Sequence, residues 1–333
     1  MVKSLLTVLI ILISLPSFAM QMLTDDELSE MTGQAFLRID RDQAGQTSFT
    51  RFTFGMDVDV SLNADLIEFG RYERSDDPIN YQFGSSDIRI NDFALGMIDD
   101  NGNIIPFSIR DPYFELAFDE VNGRQDLVGV RIGFAEAEGK LSGNIEYLTG
   151  NLQVEVKGRA KPIRDEAGWF VEGLLGLAGV NDNTIMESVQ RAVLLDPNTG
   201  NPDPIRSTGV GLANGNSLRC VSGCGVLSGV VQYLTASNCN ILGIGTCFPL
   251  SNFRSLDIGN NGQPARDMFL SFQSRPVGWI NSTGGGTLTS SGAFLNIPNG
   301  GISLNFEESF DGIARIRTKF VDPYFPDRPL PGL

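Results

Sequence analysis

The sequence predicts a mainly β protein: a long-stranded antiparallel sheet, sandwich or trough-like, with a small helical insert and a disulfide-stapled loop. Three observations carry this expectation. Every even-numbered residue from 52 to 66 is apolar (Phe52, Phe54, Met56, Val58, Val60, Leu62, Ala64, Leu66), and the odd positions between them are small, polar or acidic. Successive strand side chains point to opposite faces, so the pattern draws one two-faced strand, about 50 Å long at roughly 3.3 Å per residue. Further two-residue alternations fall at Ile88-Ile90, Phe114-Leu116-Phe118, Val128-Val130-Ile132-Phe134 and Leu152-Val154-Val156. Asn101-Gly102 and Asn122-Gly123 lie between runs, where Asn-Gly favours the tight turns of hairpins. The third observation is that the only four cysteines sit together in a Gly/Asn/Ser-rich stretch.

Residues 1–19 read as a secretory signal peptide: a lone cation at Lys3, an apolar run from Leu5 to Ile13, a break at Ser14 to Pro16, and small residues Ser17 and Ala19 at the cleavage positions. Nothing after residue 19 approaches the ~18 unbroken apolar residues of a membrane-spanning helix, so an exported chain is expected. In residues 20–34, Thr24 is an N-cap with Glu27 at the capping-box position, Leu23 and Leu28 form a hydrophobic staple, and Gly33 closes the C-terminus. Two turns are marginal alone, so this element is expected to dock, on the sheet or on an assembly partner.

The string Leu23-Thr24-Asp25-Asp26-Glu27-Leu28-Ser29-Glu30-Met31-Thr32-Gly33-Gln34 resembles the L-x-D-x-E-L-x-x-V-T-G-Q start of exported gamma-proteobacterial proteins, some of them labelled pilus-system proteins of the Fil type, with Met31 at the position of the V. The resemblance covers about a dozen residues. It implies a Gram-negative cell envelope, in the periplasm or on the outer surface, and an association with surface assembly; it implies no catalytic residue.

Residues 35–160 are expected to form the antiparallel β region. Asp99, Asn101 and Asn103 look like the opening of a calcium loop, but the twelfth position holds Arg110 where a bidentate glutamate belongs, so a turn is expected. Asp196 to Asp203 reads the same way. Residues 161–197 are expected to be a helical insert: Trp169, Phe170, Val171, Leu174, Leu175 and Leu177 make an apolar block, and Thr184 with Glu187 offers a second capping box before Ile185, Met186, Val189, Ala192 and Val193. Core packing is the plain reading of that insert, and a lid over an apolar groove the functional one. Residues 198–250 form the cysteine loop, 251–325 return to strands and complete the same domain, and 326–333, with three prolines, leave the sheet.

An even cysteine count in an exported chain reads as two disulfides among Cys220, Cys224, Cys239 and Cys247. Cys220 with Cys224 and Cys239 with Cys247 is the local pairing, and three connectivities are open. Ligand gaps of three, fourteen and seven residues do not match zinc ribbons, so no metal is expected.

A net charge of -15 and pI near 4.4 argue against nucleic acid and anionic membrane surfaces as partners. The chain has no histidine, which removes Ser-His-Asp and Cys-His nucleophile systems and histidine-ligated metals. Neither a Gly-x-Ser-x-Gly elbow nor a phosphate-binding Gly-x-x-x-x-Gly-Lys occurs, so no catalysis and no cofactor are expected. The leading expectation is an envelope structural or interaction protein whose partners are other envelope or surface-assembly proteins. Its alternatives are a lipid carrier whose groove is formed by Phe52, Phe54, Met56, Val58, Val60, Leu62 and Leu66, and an outer-membrane β-barrel, against which the unequal strand lengths speak.

Overall fold

The computed structural model describes residues 36–74, 86–99, 101–121, 124–226, 228–259, 262–282 and 284–313. The signal sequence, the docking motif of residues 20–34 and the tail of 326–333 lie outside the described residues. Of the unit Met1–Leu37 only Phe36 and Leu37 are described, and the elements below belong to the unit that begins at Arg38.

In chain order, the strands are β1 (Arg38–Ala44), β2 (Thr47–Thr53), β3 (Asp57–Val60), β4 (Leu62–Phe69), β5 (Ile88–Leu95), the short pair β6 (Met97–Ile98) and β7 (Ile104–Ile105), then β8 (Phe107–Val121), β9 (Arg124–Leu148) and β10 (Gly150–Arg159). Helices α1 (Lys161–Glu166) and α2 (Trp169–Leu177) follow. Next come β11 (Ile185–Ser188), β12 (Val193–Leu195), β13 (Gly209–Gly211), β14 (Leu218–Ser222), β15 (Asn240–Ile241), β16 (Ile244–Gly245) and β17 (Cys247–Pro249). The chain then adds β18 (Ser255–Ile258), β19 (Ala265–Gln273), β20 (Val277–Ile280), β21 (Gly286–Thr289), β22 (Gly292–Leu304) and helix α3 (Phe306–Asp311). The protein is mainly β, as its alternations predict.

The main sheet runs β1-β2-β8-β9-β19-β22-β10-β11-β14. Its neighbours are antiparallel except β10 and β22, which pair in parallel, so the sheet is mixed. At 25 residues β9 serves two layers. Residues before Gly139 pair with β8 and β19, and residues from Gly139 on pair with β18 and β5. Gly139 takes φ +138°, and a Cβ there would sit 3.0 Å from the Cα of Phe107, so the corner needs a residue with no side chain. The chain makes the same crossing at Ser61, since β3 pairs with β8 and β4 with β5. The main core fills the space between these layers with Ile88, Ile90, Phe107, Leu141, Ile145, Val154, Ile297 and Ile302.

Two expectations are corrected. The ribbon of residues 52–66 is three strands, β2, β3 and β4. Thr53 pairs with Tyr113 and Asp57 with Arg110, so three residues, 54–56, lie opposite two, 111–112. This bulge moves the inward parity by one. In β2 the buried residues are the odd Phe49 and Thr53, while in β3 the even Val58 and Val60 pack against the main core. Met56, Leu62 and Leu66 are exposed and Phe52 and Phe54 half-buried, so the even face is not sealed along its length.

The helical insert also ends early. Residues 185–188 are strand β11, held between β10 and β14. Thr184 caps no helix; its hydroxyl accepts from the Asn181 N–H (2.9 Å) and donates to the carbonyl of Gly223 (3.1 Å). A four-residue segment takes its state from the strands beside it, and those come from distant sequence.

Candidate binding face

The main sheet turns opposite chemistries to its two sides. On one side, Ile39, Phe52, Phe114, Ile132, Leu270 and Leu295 pair directly across β1, β2, β8, β9, β19 and β22. Six strands at ~4.8 Å spacing make this an apolar row about 24 Å wide. Leu270 and Leu295 pack against the main core, whereas Ile132 is 49% and Ile39 54% exposed. Phe52 stacks on Phe114 with centroids 4.5 Å apart, and Phe272 in the next row meets Phe69 edge-on at 5.6 Å. The core thus grades outward along the sheet into an open apolar face.

The other side is closed by the hairpin β20–β21. Trp279, fully buried, packs on Phe49 at 5.6 Å, with Ala117, Phe269, Val277 and Phe294 around it. Beneath it lies a buried ion pair that strand alternation does not reveal: the Arg131 Nε donates to Glu115 Oε2, with both side chains fully buried. Arg131 Nη2 also donates to the carbonyl of Ile280 (2.6 Å), and its guanidinium lies 5.0 Å from the Trp279 ring centroid, 5.1 Å from Phe269 and 5.4 Å from Tyr113. Arg51 approaches Glu115 Oε1 at 3.4 Å and covers Tyr113 at 4.6 Å. Burial pushes the Tyr113 hydroxyl above its usual range, against the pull of Arg131 and Arg51. A signal for this pocket was present: Gly129 and Gly133 flank Arg131 at every second position. A Cβ on Gly133 would meet the Tyr113 ring at 2.4 Å and one on Gly129 the Trp279 ring at 3.0 Å, so both mark close approach of large rings.

A second buried charge cluster ties the loop after β4 to distant segments. Asp87 Oδ1 accepts from Arg74 Nη1 (3.1 Å) and Arg206 Nε (3.2 Å), and Oδ2 accepts from the Ala293 N–H (2.8 Å). Burial raises the Asp87 carboxyl above its usual value, opposed by the Ala293 N–H and by both guanidiniums. These links join residues 13, 119 and 206 positions apart and read as structural.

The disulfides follow the local pairing, Cys220–Cys224 and Cys239–Cys247. Asp99 accepts from the N–H groups of Asn101 (2.9 Å) and Asn103 (2.8 Å), and Asp196 from the N–H of Asn198 (2.9 Å) and the hydroxyl of Thr199 (2.9 Å). Both carboxylates close turns, and hydrogen bonds hold their pKa values below the usual range: for Asp99 chiefly that from the Asn103 side-chain amide (2.9 Å), then the backbone N–H groups, and for Asp196 chiefly that from the Asn198 N–H. Among the described residues no group of three or more His, Cys, Asp or Glu is placed to hold a metal. An enclosed apolar cavity between Val154, Val210, Ile241 and Phe306 has a volume of about 40 Å³. Ligand pockets usually span roughly 300 to 1,000 Å³, so this is a packing gap.

Helix α2 is placed as the sequence suggests but faces outward more than a core helix would. Val171 and Leu175 are buried, whereas Trp169, Phe170, Leu174 and Leu177 are exposed. No helix among the described residues is long and apolar enough to cross a membrane.

Comparison with known proteins returns no matching family model, no matching curated protein and no matching solved structure. Among the described residues, fold and site by themselves define a mainly β protein with disulfide-braced loops and an open apolar sheet face.

Proposed function

We propose that the chain is an exported cell-envelope protein that works by binding or assembly, without catalysis, and that the open face of its main sheet contacts other envelope proteins. One observation carries this reading: a row of large apolar side chains on the main sheet stays open at Ile132 and Ile39, while the enclosed apolar cavity at Val154, Val210, Ile241 and Phe306 is only about 40 Å³. Apolar side chains aligned at a sheet surface are the usual mark of an interaction site. The disulfides fit an oxidising compartment. Pilus or other surface assembly is the finer form of the reading, supported by the resemblance of residues 23–34 alone.

A photo-crosslinking residue at position 132 tests it in cells that export the chain. The expected result is adducts with envelope proteins that disappear when Phe52→Asp is added. Adducts with lipid only, or none, would overturn it.

A carrier of acyl chains is the second reading, favoured by the exposure of Met56, Leu62 and Leu66 in addition to Ile132 and Ile39. The chain of a lipid would then lie along the sheet, because the enclosed apolar cavity of about 40 Å³ is too small for it. Stoichiometric lipid in the purified protein, found by mass spectrometry, would favour it. A membrane barrel is the weakest reading: among the described residues the main sheet ends on β1 and β14, whereas a barrel closes to remove such edges.

A further inference from the structure

Helix α2 carries almost no polar surface, yet only two of its large apolar side chains are buried. A helix apolar all round normally lies inside a protein. Here Trp169 is 85%, Phe170 61% and Leu177 77% exposed. The glycines of this helix, Gly173 and Gly176, and Gly168 before it have nothing within 4 Å of an added Cβ, so this flank stands free of the rest of the molecule.

The Cys220–Cys224 loop is fastened beside it. Gly179, just past the C-terminus of α2, touches Gly225 so closely that a Cβ on Gly179 would lie 2.4 Å from the Gly225 Cα. The Thr184 hydroxyl holds Gly223 through its carbonyl, at 3.1 Å. The disulfide shortens the loop, and Val226 next to it is 103% exposed. Two elements from distant sequence are therefore locked together to present a convex apolar tip.

A convex tip needs a partner that yields to it. We propose that α2 and the Cys220–Cys224 loop settle on a zwitterionic phospholipid surface, with Trp169, Phe170, Leu177 and Val226 entering the headgroup–acyl boundary. Aromatic and leucine side chains flanked by a collar of charged residues are suited to that depth. Charge selects the kind of bilayer. Between residues 161 and 183 there are two cations, Lys161 and Arg164, and four carboxylates, Asp165, Glu166, Glu172 and Asp182. Lys161 is paired with Asp165, and Arg164 with Glu172 and Asp182, so no cation on these helices is left for an anionic headgroup. The whole chain, at -15, would add repulsion. A neutral headgroup layer matches this collar and an anionic one does not. The inference is independent of the assembly reading, because it concerns a different surface.

The two tryptophans make the test internal. Trp279 is fully buried and Trp169 is the exposed one, so a change of emission on adding lipid reports Trp169. With the folded full chain and vesicles of phosphatidylcholine, the expected result is a blue shift, quenched by brominated acyl chains, with a partition constant on the order of 10⁴ M⁻¹, the scale of a single acyl anchor. Leu177→Asp and Val226→Asp, judged folded by circular dichroism, should each weaken vesicle cosedimentation roughly 10- to 100-fold. Mixing in phosphatidylglycerol should weaken binding further, most at low salt. Three results would overturn the proposal: no shift at millimolar lipid, tighter binding to phosphatidylglycerol vesicles, or a Trp169-dependent dimer in sedimentation with no vesicle binding, which would make the tip a contact between copies.

Discussion

Arg131 and Ile132 are neighbours on β9, yet the charged residue is fully buried and the apolar one is half in solvent. The same inversion repeats across the sheet: Glu115 is sealed while Phe114 is half-exposed, and Ser271 is sealed beside the exposed Phe272. Alternation alone would place the apolar set inside. What decides is which face receives a cover, and here the hairpin β20–β21 caps the face that carries the charges. Those charges are tolerable because each has a partner: Glu115 for Arg131, the Ile280 carbonyl for both Arg131 and Arg51, and three aromatic rings around the guanidinium. The comparison teaches that polarity at a position does not assign it to water. Burial of charge follows from pairing, and exposure of apolar side chains from the lack of a second layer.

The largest expected effect breaks the sealed side. Glu115→Ala leaves Arg131 buried without its carboxylate and should cost about 3–5 kcal/mol of stability in urea denaturation. Replacing both, Glu115→Leu with Arg131→Met, should recover most of that loss, since a well-packed apolar pair often matches a buried ion pair. Equal damage from the single and double variants would mean that the pair is irreplaceable for packing reasons alone.

Tyr113 gives an intermediate test through pH. Its folded-state pKa lies above the usual tyrosine value of 10, so above pH 10 the unfolded chain loses a proton that the folded chain keeps. Stability should therefore be unaffected by this group below pH 10 and fall as pH rises beyond it. Tyr113→Phe should flatten that alkaline slope in thermal melts; an unchanged slope would remove Tyr113 from the sealed set.

The smallest expected effect is on the open side. Ile132→Ser should change stability by less than about 0.5–1 kcal/mol, as for an ordinary surface substitution. A loss as large as that of a core deletion, about 2–5 kcal/mol, would show that the face is covered in solution and end the contrast.

Much of this was legible from residues. The alternations at 114–118, 128–134 and 152–156 fall in β8, β9 and β10, and cysteine spacing pointed to the local disulfides as one of three pairings. The ribbon of 52–66 misled because a bulge is invisible to parity: the three-against-two count at 54–56 depends on Asp111 and Pro112 across the ladder. Residues 184–193 misled because a few apolar residues at helical spacing also suit a short buried strand, and only β10 and β14 decide between them. The ion pairs were hidden for a similar reason. Arg131 and Glu115 read as outward-facing members of their strands, and nothing local says that a hairpin 150 residues later will close over them.

The shared strand β9 has a kinetic consequence. Its partners include Met268, opposite Phe134, so a ladder joining residues 134 apart must close before either layer is complete. Long loop closures of this kind slow folding, and until β18 and β19 have arrived, β9 presents bare edges on both of its halves. Because one continuous strand runs through both layers, melting either layer strips half of β9 of its partners, which couples the two layers in unfolding.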